Sequence, residues 1–251
     1  MTGLEATLVF VAGIAAGTIN AVVGSGTLIT FPVLLSVGLS PLTANVSNTL
    51  GLVPGSFMGA YGYRHHLKGQ RRLVVRLGSA SLVGAVIGAV LLLALPAAAF
   101  KAIVPALIAL SLVLVLAGPA INQRLARRER TPARGPSPTL WSATLGAGAY
   151  GGYFGAAQGV LLMGLLSALL GGDVQRNNAV KNLLAGTANL VAAVVFVIVS
   201  EPNWWVVALV AAGSTLGGIL GARVGQWLSP AVLRGVIVAV GVVAIAQLLT
   251  S

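Results

Sequence analysis

The sequence contains no cysteine, which excludes disulfides, thiolate metal sites and cysteine nucleophiles. Acid is nearly as scarce. Only four carboxylates, Glu5, Glu129, Asp173 and Glu201, occur in 251 residues, and each falls at the end of an apolar run or between runs. No acidic side chain is available within a run to bind a cation or relay protons, so cation antiport and pumping are poor assignments. The runs also lack a clustered acid, base and nucleophile, and an enzyme is not expected. Gly24-Ser-Gly-Thr27 lacks the lysine and spacing of a phosphate-cradling loop, so any uphill step must draw on a gradient or a partner subunit. No cofactor and no metal site is expected, because His65 and His66 lie in a basic loop without neighbouring ligands. Met1 to Ala6 carries no Lys or Arg, unlike a cleaved targeting sequence, so the first apolar stretch is expected to stay in the mature protein.

What is abundant is apolar surface. Hydrophobic residues make up 57% of the chain and charged residues 8%, against about a quarter charged in a soluble domain. Apolar runs read as Leu4 to Val37, Leu42 to Tyr63, Leu73 to Leu95, Ala97 to Ile121, Leu140 to Leu170, Ala179 to Val199, Trp204 to Ala222 and Pro230 to Leu249. Most match the roughly 20 helical residues that cross a hydrocarbon layer about 30 Å thick. The chain is expected to be an all-α polytopic protein of the cell (inner) membrane, with the lipid bilayer as its surroundings. The formal charge of +11 does not point to nucleic acid, since ten of the fifteen basic residues sit in two short segments between runs, the usual cytoplasmic flanks of spanning helices. Those arginines set topology first and can hold anionic lipid second. Trp141, Trp204, Trp205 and Trp227 read as interfacial anchors.

Runs one and five are over-long, and each is interrupted near its middle, by Gly24-Ser25-Gly26 and by Ala157-Gln158-Gly159. Both read as pairs of half-helices. They also open two similar halves. Gly13-Ile-Ala-Ala-Gly17 corresponds to Gly148-Ala-Tyr-Gly-Gly152, Gly26 to Gly159, and Val46-Ser-Asn48 to Val180-Lys-Asn182. The chain therefore divides into a first transmembrane repeat (1–121), a basic cytoplasmic linker (122–138) and a second transmembrane repeat (139–251). If run five enters and leaves on one side, fourteen of the fifteen basic residues share a side; if it crosses once, the split is ten against five. The positive-inside rule favours the first. Extended to run one by repeat similarity, each half becomes a broken, re-entrant hairpin plus three spanning helices. The repeats are then inverted and both termini face outward. The competing arrangement has eight single crossings, parallel repeats and both termini inside.

Irregular backbone at membrane depth is tolerated where protein buries it or water reaches it, so the two breaks are expected to meet a central cavity. A half-helix beginning after each break would aim N–H groups and a positive dipole end at that cavity, which suits an anion. The candidate binding residues are Asn20, Gly24, Ser25, Gly26 and Thr27 at the first break, and Gln158 and Gly159 at the second. The helices that follow add Asn45 and Asn48 in one half and Asn178, Lys181 and Asn182 in the other, with Ser47 and Asn177 beside them. For these asparagines interhelical hydrogen bonding is the alternative, and for Lys181 snorkelling to the cytoplasmic interface. Gly13/Gly17, Gly84/Gly88, Gly148/Gly152 and Gly217/Gly221 read instead as small-residue packing seams.

The run Gly17-Thr-Ile-Asn-Ala-Val-Val-Gly-Ser-Gly-Thr-Leu-Ile-Thr-Phe-Pro-Val-Leu-Leu35, followed by Ala44-Asn-Val-Ser-Asn-Thr49, resembles the opening of the TauE/SafE family of sulfite exporters. Gly148 to Gly159 with Asn178 to Leu183 is similar to that family's second repeat, so the resemblance covers essentially the whole chain. It implies a secondary transporter moving sulfite or organosulfonate-like anions, usually outward, by alternating access. A passive anion channel or small-solute pore is the rival reading, and pairing into a homodimer is left open. A reporter fused to the carboxyl terminus is expected to report an external location; a cytoplasmic signal would overturn the inverted arrangement.

Overall fold

The computed structural model describes residues 1–127, 137–171, 173–224 and 230–250, and among these there are ten α-helices and no strand. They are α1 (Gly3–Val22), α2 (Thr27–Ser36), α3 (Pro41–Gly62), α4 (Arg71–Ala94), α5 (Ala97–Arg127), α6 (Pro138–Tyr153), α7 (Gln158–Leu169), α8 (Val174–Val199), α9 (Trp204–Val224) and α10 (Pro230–Thr250). Every expected run is helical, and runs one and five are each split in two. α5 continues through Asn122 to Arg127, so the first residues of the expected linker are helical. The rest of that segment up to Pro136, and Trp227, lie outside the described residues.

The helix starts follow from the sequence. Thr2 and Glu5 form a capping box at α1, Ser40 before Pro41 caps α3, Ser137 before Pro138 caps α6, and Asp173 caps α8 through the Arg176 amide. Each side-chain oxygen satisfies an amide that the first turn leaves without a partner. The two helices that follow the breaks, α2 and α7, have no side-chain cap.

Five helices, α1, α4, α5, α8 and α9, are long and apolar enough to cross a membrane, and the chain is a multi-pass membrane protein. Large apolar side chains such as Val86, Ile87, Val90 and Leu91 on α4 and Val194, Val197 and Ile198 on α8 point outward, as a lipid-facing surface requires. α6 and α7 have 16 and 12 residues, shorter than the roughly 20 needed to span, as expected of half-helices. α1 differs. Its 20 residues are long enough to span alone, and only α2, with 10, is short.

The halves interlock. The first helix of each half packs on the fourth of the other, α1 on α9 and α6 on α4, and the small-residue seams are what meet there. Gly13 and Gly17 face the backbone of Val210, Gly213 and Ser214, while Gly217 and Gly221 face Ile14 and Thr18. On the other side Gly84 and Gly88 face Leu145, Gly148 and Ala149, while Gly148 and Gly152 face Ser81 and Ala85. α3 joins the first seam through Gly51 and Gly55, which approach Val210 and Ser214 of α9. Without side chains between them the helices come into backbone contact, and dispersion rather than water exclusion holds them. Thr18 Oγ1 adds a bond to the Gly217 carbonyl (3.2 Å), Ser214 Oγ one to the Gly51 carbonyl (2.6 Å), and Ser81 Oγ, from α4, one to the Leu184 carbonyl of α8 (2.9 Å).

A Cβ at Gly88 would overlap the carbonyl oxygen of Ala149, whereas one at Gly78 of the same helix meets nothing within 4 Å. Gly88→Ala is expected to lower stability by about 1–3 kcal/mol through overpacking. Gly78→Ala should leave the melting temperature of the detergent-solubilised protein unchanged, and equal melting of the two variants would count against the seam.

Candidate functional site

The two breaks touch each other. After α1 the chain turns through Gly24 at φ +88°, and after α6 through Gly155 at φ +74° and Ala157 at φ +61°. Ala157 is the one non-glycine residue with positive φ among the described residues, a conformation costing about 1–2 kcal/mol. The second break thus lies at Phe154 to Ala157, overlapping the expected Ala157-Gln158-Gly159 at Ala157 and starting earlier, and Gln158 and Gly159 form the first turn of α7. Gly159 N–H donates to the Gly24 carbonyl at 3.0 Å. A Cβ on either glycine would overlap the other's backbone. Gly159 therefore pairs in space with Gly24 rather than with Gly26, its match in the repeat, and Gly26 instead lies against the Ala16 carbonyl and the Asn20 side chain of α1. Phe31 of α2 and Phe154 of the second break meet edge to face at 5.2 Å.

The polar side chains tie the broken ends down. Asn48 of α3 holds α2: its amide donates to Thr27 Oγ1 (3.1 Å) and its carbonyl oxygen accepts from Thr30 Oγ1. Asn45 donates to the Tyr153 carbonyl at the end of α6 (3.0 Å). In the other half, α8 does the same for α1. Lys181 Nζ donates to the Asn20 and Ala21 carbonyls, both at 3.2 Å, and the Asn178 and Asn182 amides donate to the Ala21 carbonyl at 3.3 and 3.1 Å. Each helix that follows a break thus caps the carbonyl end of the broken helix in the other half, where the helix dipole is negative. Asn20 also donates through its side chain to Ser56 Oγ (3.0 Å).

Lys181 is 1% exposed, so it does not snorkel, and its position within α8 removes it from the loop charges that set topology. Ser47 and Asn177 serve other ends: Ser47 accepts from the Asn203 amide before α9 (3.0 Å), and Asn177 donates to the Gly171 carbonyl after α7 (3.0 Å). The expected free amides are largely engaged. Those of Gln158, Gly159 and Val160 donate to the Gly155, Gly24 and Ala157 carbonyls, and those of Leu28 and Ile29 to Ser25 and Gly26. Ser25 Oγ, Gln158 Nε2 and Asn45 Oδ1 are buried beside the breaks without a partner. Two cavities of about 420 and 290 Å³ lie elsewhere, one at Tyr61, Arg64, His65 and Arg223 and one at Pro32, Ser36 and Val243. The breaks are in direct contact with each other.

Sequence reading missed the clamp on the second break. Tyr150 Oη donates to the Ala156 carbonyl (2.5 Å), and Ser111 of α5 reaches both Tyr150 Oη (2.7 Å) and that carbonyl (3.0 Å). The available signal was a hydroxyl deep in an apolar run, which must find a partner. His66 Nδ1 lies 3.8 Å from the Asp173 carboxylate. Trp204 and Trp205 are exposed at the start of α9, as anchors should be.

An all-helical bundle with two uncapped, broken helices meeting in its core defines a class, that of multi-pass membrane transporters, and the relatives agree. The chain is 31% identical over 245 residues to the probable membrane transporter protein ORF9 of Sinorhizobium sp, covering 96% of this chain and 90% of that protein. It is 27% identical over 248 residues to the probable membrane transporter protein YfcA of Escherichia coli K12, covering 96% and 88%. A probable membrane transporter protein of Haemophilus influenzae is 26% identical over 233 residues, covering 92% and 89%. The family described as sulfite exporter TauE/SafE matches residues 9–248, and the chain belongs to it. No solved structure gives a significant match.

Asn48→Ala removes both ties on α2 and leaves Thr27 and Thr30 hydroxyls without them. The expected cost is about 2–3 kcal/mol, from two net hydrogen bonds and their orphaned partners. Thermal unfolding in detergent reads it; an unshifted transition would mean that α2 is anchored by packing alone.

Proposed function

We propose that this protein is a secondary carrier that exports a small anion of the sulfite or organosulfonate class across the cell membrane by alternating access, binding it where α8 meets the end of α1 beside the Gly24–Gly159 contact. One observation carries the reading: donors outnumber acceptors there. Lys181, Asn178 and Asn182 bring seven N–H groups between them, and a carbonyl oxygen offers two lone pairs. Yet all four recorded bonds fall on two oxygens, three of them on Ala21. Among the described residues no carboxylate competes, since Glu5 is half-buried in the first turn of α1, where it accepts from the Thr2 amide, and Asp173 and Glu201 are exposed at helix ends. An oxyanion placed among these groups would accept the surplus hydrogens in a charge-assisted way, worth about twice a neutral bond. Ser25 Oγ and Gln158 Nε2, buried and unpartnered nearby, are further donors, with Asn20, Asn45, Asn48, Gly26 and Thr27 holding the frame. The relatives' family description names sulfite, which suits this donor set.

The moving bodies are not the two sequence halves, which the glycine seams lock together. They are α1, α3 and α9 with α2 on one side, and α4, α6 and α8 with α7 on the other. Within each body the seam helices touch backbone to backbone. Between them, apart from the Gly24–Gly159 contact, the approach is looser: a Cβ at Gly186 would meet the side chains of Ser56 and Phe57 at an ordinary 3.4 to 3.5 Å. The Gly24–Gly159 bond and the ties made by Asn45, Lys181, Asn178 and Asn182 cross this boundary, so separating the bodies opens the site and an anion can replace the lost ties.

Sulfite flux into and out of proteoliposomes tests the reading. Lys181→Met is expected to lower saturable flux by about a hundredfold, as truncating one partner of a buried charged contact does. Asn182→Ala should lower it by about tenfold, one lost charge-assisted contact. Undiminished flux in Lys181→Met would reject this placement, and absence of counterflow in the wild type would reject a carrier in favour of a pore.

A further inference from the structure

Away from the breaks, α3 and α9 end side by side and leave a cavity of about 420 Å³. We infer that this cavity seats the headgroup of an anionic glycerophospholipid, with an acyl chain lying along the outward face of α9. The two helices run parallel to this point. Gly51 faces Val210, Gly55 faces Ser214 and Gly62 faces Ala222, so both apolar runs reach the membrane boundary together. The lining is divided by polarity: Met58, Ile219 and Ala222 are partly buried, whereas Arg64, His65 and Arg223 are exposed at the rim. Arg64 is held in place, since its Nη1 donates to the Tyr61 carbonyl at 3.1 Å and its guanidinium lies 4.3 Å from the centre of the Tyr61 ring. A guanidinium has five N–H groups. That bond uses one and leaves others for a phosphate, which arginine meets in a bidentate way. Among the described residues neither arginine meets a carboxylate, and the single ion pair is that of His66 with Asp173.

The occupant must carry both a negative charge and an apolar part. α3 and α9 present their carbonyl ends here, where the helix dipole repels an anion, so the rim cations alone can hold one. A free phosphate or sulfonate would use that rim and leave the surface of Met58 and Ile219 without a partner. A lipid uses both. Leu216 and Leu220 are exposed and share one stripe of α9 with Arg223, so an acyl chain can follow them from the rim toward the bilayer core. Arg64 belongs to the first half and Arg223 to the second, and a bound headgroup therefore ties the halves at the end of the α3–α9 contact. This site is separate from the anion site proposed above and stands whether or not that reading holds.

The test is thermal unfolding of the purified full-length chain in a neutral detergent, titrated with dioleoyl phosphatidylglycerol, dioleoyl phosphatidylcholine or glycerol 3-phosphate. Phosphatidylglycerol is expected to raise the melting temperature at concentrations at least about tenfold below those at which phosphatidylcholine acts, and glycerol 3-phosphate to have no effect over the same range. Arg64→Gln and Arg223→Gln, made separately at exposed positions, should each lose most of that preference. Lys68→Gln removes an exposed cation of the same loop that does not line the cavity, and it should leave the preference unchanged. Equal action of the two lipids, or a preference kept in full by the arginine variants, would overturn the site. An equal loss in Lys68→Gln would overturn it too, in favour of diffuse charge attraction, and stabilisation by glycerol 3-phosphate matching that by the lipid would replace the lipid with a free phosphate. Either arginine variant decides the location where the other does not fold.

Discussion

A single peptide hydrogen bond, from Gly159 N–H to the Gly24 carbonyl at 3.0 Å, joins the two places where the helical backbone is interrupted. Lipid offers such backbone no partner, so an interruption at membrane depth survives only if protein satisfies it. Here each break satisfies the other. The approach is close enough that neither position tolerates a Cβ, and at Gly24 the left-handed φ restricts the choice again. The surrounding polar residues follow from this contact. Once α1 and α6 stop inside the protein, their last carbonyls need donors. Asn45 supplies them for α6, and Lys181, Asn178 and Asn182 supply them for α1.

Much of this was legible in the sequence, and what was not has identifiable causes. Over-long apolar runs with glycine at their centres located both interruptions, and the duplicated order of segments indicated that they correspond. The second break shares Ala157 with its expected place but begins two to three residues earlier, because the chain turns first at Gly155 and then through Ala157 in a left-handed conformation that alanine's own preferences oppose. The small-residue seams were visible as spacings. Which seam meets which was not, since a spacing of four glycines or alanines carries no address. Gly13 and Gly17 could have faced any helix with a complementary groove, and the choice of α9 over another is a property of the whole packing.

The polar residues show the same limit. Asn45, Asn48, Asn178 and Asn182 were marked as interior because an amide in lipid is costly, and all four are buried. Their roles nevertheless differ. Asn48 ties α2 to its neighbour α3, whereas the other three reach a helix end in the opposite half. Lys181 had a plausible interfacial alternative because it lies within two turns of the start of α8. The decisive fact, that the end of α1 arrives at that level of α8, is long-range and has no local sequence signal. Tyr150 and Ser111, unnoticed as single hydroxyls in apolar runs, turned out to clamp the second break from outside.

Two kinds of contact therefore coexist between the halves, and their physics differs in a way that bears on movement. The α1–α9 and α4–α6 seams are largely backbone against backbone, with few side chains between them, and sliding them forfeits many dispersion contacts at once. The contacts at the breaks are few, polar and individually replaceable, because a donor that leaves a carbonyl can be met by an anion or by water. Under the proposed alternating access the seams would hold and the boundary that carries Lys181, Asn45 and the glycine pair would part. The exchange of helices between halves is what makes this so. It places pieces of both repeats on either side of the joint that passes through the one buried positive charge among its described residues. An anion bound at that joint would stabilise open and closed arrangements differently, which is the condition for a ligand to shift a conformational equilibrium at all.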